Sequence, residues 1–201
     1  MADRLRIDLY CEDSGHEQFA RALVSRLAAN LGLRLELRTP SGRGGHGRAL
    51  TEFRLWQRAV ASQHRAGQTL PDLLVLMIDA NCNGWAQVRR ELEDTIDSRI
   101  FARCVIGCPD PHVEKWCMAD PQAIQEVLGV STPAVPEKCE RHLYKQLLRK
   151  TILDAGQLIL TNEMEYAPDL VAAMDLYRAG KNQPSLKHFV DELRSALRSL
   201  L

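Results

Sequence analysis

Along the chain, the spacing of hydrophobic positions switches between two periods. Leu5, Ile7 and Leu9 alternate with charged residues ahead of Tyr10 and Cys11, the period-two signature of a strand over Arg4–Glu12. From Gly15 to Leu31 the spacing lengthens, with Phe19, Leu23, Leu27 and Leu31 sharing one helical face. Gly32 suits the position just past a helix end, and alternation returns at Leu33, Leu35 and Leu37. The segment TPSGRGGHGRA, with four glycines and a proline, reads as a loop before a helix over Ala49–Arg65. Pro71 then opens DLLVLMI, which is apolar without alternation. A strand buried on both faces has that pattern, which predicts the middle of a parallel sheet. A helix over Asn83–Ile96 and a strand over Arg99–Gly107, centred on CVIG, come next. CPDPHVEKWCMADP follows as a turn leading into a short helix. Past Pro133 and Pro136 the pattern is helical throughout, over Lys138–Ala155, about Glu163–Arg178 and Ser185–Leu201. Strands alternating with helices, then helices alone, predict an α/β fold. Residues 1–130 form a mostly parallel, Rossmann-like sheet flanked by helices, and residues 131–201 a helical extension packed on it. The apolar tail positions Phe189, Leu193, Leu197, Leu200 and Leu201 face either that sheet or a second subunit of a homo-oligomer.

Composition narrows the class. Hydrophobic residues at 45% and charged residues at 26% are ordinary for a soluble globular protein, and no apolar run approaches the roughly 20 residues of a membrane span. Asp3, Arg4 and Arg6 lead straight into a strand, so no signal peptide is expected and the protein reads as cytoplasmic. A formal net charge of zero argues against coating nucleic acid by bulk charge, and leaves room for local basic patches. In that compartment Cys11, Cys82, Cys104, Cys108, Cys117 and Cys139 are expected as reduced thiols. Cys104, Cys108, His112 and Cys117 offer zinc ligands, though C-x3-C-x3-H-x4-C departs from the usual knuckle spacing. The alternative is that these cysteines fill the core as small thiols.

Candidate chemistry collects where an α/β sheet binds ligands, beyond the carboxyl ends of its strands. Glu12 follows the first strand and Asp79 the central one. Asp79, Asn81 and Asn83 occupy alternate positions, which suits a hard cation such as magnesium; the other reading is a helix N-cap, with Asn83 capping a helix from Gly84. Glu17 lies one turn into the first helix, and Glu114 and Asp120 lie beyond CVIG. Carboxylates converging from three strand ends repel one another unless a cation neutralises them. His16 and His112 stand beside candidate acids, suited to proton shuttling or to structural hydrogen bonds. Lys138, Lys145, His46 and Arg48 are candidate cations to face a phosphate. Arg141, Lys145 and Arg149 form one helical stripe, either solvated or facing substrate. The glycine-rich loop lacks the order of a P-loop and reads as a substrate-gripping loop carrying Arg43, His46 and Arg48.

Three stretches, YCEDSGHEQFARAL, LLVLMIDANCNGW and VIGCPDPHVEKWCMADPQA, together resemble a TOPRIM (topoisomerase–primase) domain of the small prokaryotic type related to OLD-family nucleases. The tail EYAPDLVAAMDLYRAGKNQPSLKHFVDEL resembles that group's ending. The resemblance implies a magnesium- or manganese-dependent site for phosphodiester chemistry on DNA or RNA. It assigns Glu12 and the Asp79-Ala80-Asn81 stretch as metal ligands, with Asn81 standing where the pattern has a second aspartate. It places Glu114 in or beside the site, with Asp120 as a further candidate, and leaves Glu17 or Glu114 to hold a second metal or act as general base. It also implies an anti-phage role beside a separate ABC-type ATPase. The missing charge at Asn81 keeps open a regulatory TOPRIM subunit without catalysis, and a phosphotransfer enzyme acting on nucleotides rather than polymers is a third reading.

Overall fold

A computed structural model describes residues 4–40, 46–133, 137–140 and 142–201, with only the backbone at residues 46 and 47. Among these residues four strands, β1 (Leu5–Cys11), β2 (Leu35–Arg38), β3 (Leu73–Met77) and β4 (Cys104–Gly107), form an all-parallel sheet in the order β2-β1-β3-β4. Helices α1 (Ser14–Asn30), α2 (His46–Arg65) and α3 (Trp85–Glu93) make the crossovers. The chain steps outward from β1 to β2, then returns past β1 to lay down β3. That reversal opens a crevice beyond the carboxyl ends of β1 and β3. The register closes it tightly: Cys11 pairs with Met77, and the Glu12 amide donates to the Met77 carbonyl at 3.0 Å.

Strand pleating divides the core. Ile7, Leu9 and Cys11, with Leu73, Val75 and Met77, face α1 and the C-terminal helices. Tyr10, Leu74, Leu76 and Ile78 face the side that holds Phe53 of α2 and Val88 of α3. All five residues of β3 are buried, which explains why its sequence does not alternate. β2 lies at an edge and does alternate. Its Arg38 registers opposite Asp8 and holds that buried carboxylate through Nε and Nη2, at 2.7 and 3.0 Å.

The remaining helices are α4 (Val113–Cys117), α5 (Pro121–Leu128), α6 (Leu143–Asp154), a 3-10 turn (Glu163–Tyr166), α7 (Ala167–Ala173), α8 (Leu176–Asn182) and α9 (Pro184–Arg198). The apolar face of α9 packs on the sheet, with Phe189, Leu193 and Leu197 fully buried and Leu201 exposed. Gly107 permits this approach, because a Cβ there would stand 3.2 Å from the Phe189 ring.

Several boundaries differ from the sequence expectation. The predicted helix over Glu163–Arg178 is three pieces, broken where Met174 turns extended and Asp175 caps α8. The predicted strand from Arg99 starts only at Cys104, after a turn in which Ile100 and Phe101 donate to the Asp97 carbonyl. Asn83 does not cap α3: Gly84 holds the cap position at φ 80°, and the Asn83 side chain donates to the Ala80 carbonyl. Asp110 accepts the Trp85 amide instead, at 3.0 Å. Two of the six cysteines are not thiols, since Cys82 and Cys139 form a disulfide with Cα atoms 5.9 Å apart. The zinc grouping does not assemble either. Cys104 and Cys108 pack on one side of the sheet and Cys117 on the other, as small core residues. No helix among the described residues is long and apolar enough to cross a membrane.

Candidate metal centre

The site is built from the residues that leave β1. Asp13 is extended and caps α1, its Oδ1 accepting the amides of Gly15 at 2.9 Å and His16 at 3.0 Å. The cap fixes His16 in the first turn, Nδ1 2.7 Å from Asp13 Oδ1 and Nε2 2.8 Å from Asp79 Oδ1. From the far side His112, just ahead of α4, places Nδ1 3.0 Å from Asp79 Oδ2. The Asp79 amide donates to Glu12 Oε2 at 3.1 Å. Asp13, His16, Asp79 and His112 therefore form a line of alternating acid and base, with Glu12 against its centre. One ligand atom each from Glu12, His16 and Asp79 lies within 4.8 Å of the others, and all three residues are buried. They open onto a cavity of about 620 Å³ whose wall also holds Asn81, Glu114, Lys145 and the Cys82–Cys139 disulfide.

Acids and bases here shift one another's pKa values. Burial works against a charged His16, but the Asp79 and Asp13 carboxylates outweigh it and raise its pKa well above the ordinary histidine value. The hydrogen bond to Asp79 likewise raises His112. Burial pushes the Asp79 carboxyl up, and His16 and His112 together bring it below the usual range. Glu114 is raised by burial. The repulsion expected among converging acids is thus eased by His16 and His112, which both hydrogen-bond Asp79. Two carboxylates and an imidazole at this spacing fit a divalent cation. The imidazole suits a transition ion such as manganese better than magnesium, which favours oxygen alone.

Of the residues named from sequence, Glu12, His16, Asp79, Asn81, His112, Glu114 and Lys145 reach this one cavity. Asn81 sits at φ 49°, its amide donating to the Pro111 carbonyl and its side-chain nitrogen to the Asp79 carbonyl. Lys145 lies 3.3 Å from Glu163 Oε1, a buried acid from the 3-10 turn. Glu17 stands outside the cavity wall and pairs with Arg21. Lys138 lines a neighbouring cavity, and Arg48 is an exposed partner of Glu52. Arg43, Arg141 and the side chain of His46 lie outside the described residues. Arg149 is exposed. Asp120 is a correction: it is fully buried, caps α5, and is gripped by Arg178 at 2.6 and 2.9 Å, which makes it a structural tie. Sequence reasoning passed over Asp13, Glu163 and the disulfide. Asp13 had a readable signal, an acid placed to cap a helix three residues before a histidine; Glu163 had none.

Residues 11–194 match the family model described as Domain of unknown function (DUF4276). The chain belongs to the DUF4276 family. The match runs from the end of β1 into α9, so every residue of this DUF4276 site lies inside it. No curated protein and no solved structure matches the chain. For this DUF4276 protein the chemistry therefore rests on the geometry of the site.

Proposed function

We propose that this DUF4276 protein is a divalent-metal-dependent phosphodiester hydrolase of TOPRIM type that acts on DNA or RNA. The observation that carries the reading is the meeting of Glu12 and Asp79 at adjacent parallel strand ends, with His16 completing a buried donor set within 4.8 Å. Glu12, His16 and Asp79 would hold the cation, with Asn81 adding a neutral oxygen. A cation bound there supplies polarisation of a phosphoryl group and a bound water of lowered pKa. The other residues do the rest. His112 orients Asp79 from its second oxygen. Glu114, on the cavity wall with its carboxyl raised by burial, is placed for proton transfer. Lys145, held by Glu163, presents a cation to charge developing on phosphate. The TOPRIM resemblance supports gating by a separate ABC-type ATPase in anti-phage defence, and we place the protein in the cytoplasm.

One observation favours a second reading, a metal-free regulatory subunit: both oxygens of Asp79 are already engaged by imidazole nitrogens. Incubation with plasmid, single-stranded DNA and tRNA in magnesium or manganese separates the two. The hydrolase reading expects cleavage that Glu12→Ala and Asp79→Ala each lower by at least about 100-fold, the upper end for loss of a group supporting a metal. Cleavage that survives in both variants rejects the metal-centre assignment, and its absence in the wild type under every condition favours the regulatory subunit.

A further inference from the structure

A second cavity, of about 380 Å³, adjoins the first. The two share Cys82 and Cys139, so the disulfide is their common wall. Its most unusual occupant is Lys115, with only 7% of its side chain exposed, because lysine is almost never buried without a partner. The Lys115 ammonium lies 5.4 Å from the Tyr144 ring centre and 2.8 Å from Glu137 Oε2. That partner is a surface group, with the Glu137 side chain 78% exposed.

Other charges facing this cavity are Lys138, in a long 3.5 Å pair with Glu140, and Asp110, whose carboxylate is held by the Trp85 amide. Trp85 also lines the wall, and its ring packs at a tilt against His188, with centroids 5.1 Å apart. A buried ammonium whose charge is met, among the described residues, by one exposed carboxylate is poised for exchange. Ion pairs with an exposed partner are worth little, and a phosphate oxygen makes the same charge-assisted hydrogen bond. We propose that this cavity is a phosphate-binding subsite for a nucleotide strand. Lys115 takes the backbone phosphate next to the one at the metal centre, Glu137 is the carboxylate it displaces, and Trp85 offers a ring face to the adjoining base. The substrate class is then a single-stranded polynucleotide segment spanning both cavities. The neighbouring position rests on the hydrolase reading of the first cavity; the binding itself does not.

The test is fluorescence anisotropy of a labelled oligothymidylate with the full chain in EDTA, so that its outcome is independent of hydrolysis. Failure of the hydrolase reading would appear instead as absent cleavage. Removing the competing carboxylate in Glu137→Gln, an exposed position that folding tolerates, should tighten binding about threefold or more. Lys115→Met should weaken it about tenfold. It should also lower the slope of log affinity against log salt by about 0.7, the share of one phosphate on a single strand. Equal affinity of Glu137→Gln and wild type overturns the proposal, whether or not Lys115→Met folds. A gain in Glu137→Gln that is as large for a mononucleotide as for the oligomer overturns the assignment to a strand.

Discussion

Asn81 is where, on the metal-centre reading, one atom would decide how tightly a cation is held. The residue lies in the left-handed region at φ 49°, a conformation that asparagine and aspartate both tolerate. Asn81→Asp therefore adds charge without asking the backbone to move. It adds that charge to a cluster already balanced by His16 and His112, so the metal-free protein should lose stability while cation affinity rises. Thermal melts with and without manganese check this. Saturation at about 100 times Kd stabilises by about 2.7 kcal/mol, a rise in Tm of roughly 5–10 °C for a chain of this size. The rise at a fixed subsaturating concentration should be larger in Asn81→Asp than in wild type, and absent in Glu12→Ala. The same rise in Asn81→Asp and wild type would place residue 81 outside the donor set.

Elements were legible where burial alone decides their pattern. β3 has no polar position because both of its faces are covered, and β1 alternates until its last turns, where Tyr10 and Cys11 enter opposite cores. Helix ends were less legible because their partners come from afar. The first amide of α3 is met by Asp110 across 25 positions, and Asn83, the local candidate, is turned elsewhere. Asp120 shows the same effect. In sequence it is one more acid beyond a strand; in the fold it caps α5, accepts the Asp175 amide and pairs with Arg178 of α8. Asp120→Asn keeps a capping oxygen and loses the ion pair. Breaking a fully buried pair costs about 3–5 kcal/mol, and Arg178, 35% exposed, regains part of its hydration, so about 2 kcal/mol is expected by urea unfolding at neutral pH. Despite its burial, the Arg178 hydrogen bonds hold the Asp120 carboxyl below its ordinary value of 3.8. Its contribution is complete above that value and is lost as pH falls through the lowered one. The gap between variant and wild type should therefore close in acid. A gap of unchanged size at low pH would mean that the carboxylate charge is not what joins α5 to α8.

At the scale of the whole molecule, the parallel topology brings Glu12 and Asp79 together, and strand–helix alternation announces that topology. Nothing in the local pattern announces the Cys82–Cys139 pairing, because six cysteines allow many pairings and only the fold selects one. The disulfide joins the turn after Asp79 to the segment leading into α6, so it ties the metal-centre cavity to the helix that carries Lys145. Its thermodynamic share follows from chain length. A sequence separation of 57 residues gives about 4 kcal/mol in the chain-entropy account, or roughly 8–16 °C in Tm. A small dithiol should lower Tm by that amount, and Cys82→Ser with Cys139→Ser should match the reduced wild type. The remaining four cysteines, Cys11, Cys104, Cys108 and Cys117, are already free thiols, so reductant should leave the double variant unmoved. A reductant shift that persists in the double variant would assign the effect to those thiols. If it vanishes, the wall between the two cavities is a redox-labile link, and the holding of α6 against the candidate metal centre depends on the thiol poise of the compartment in which the protein works.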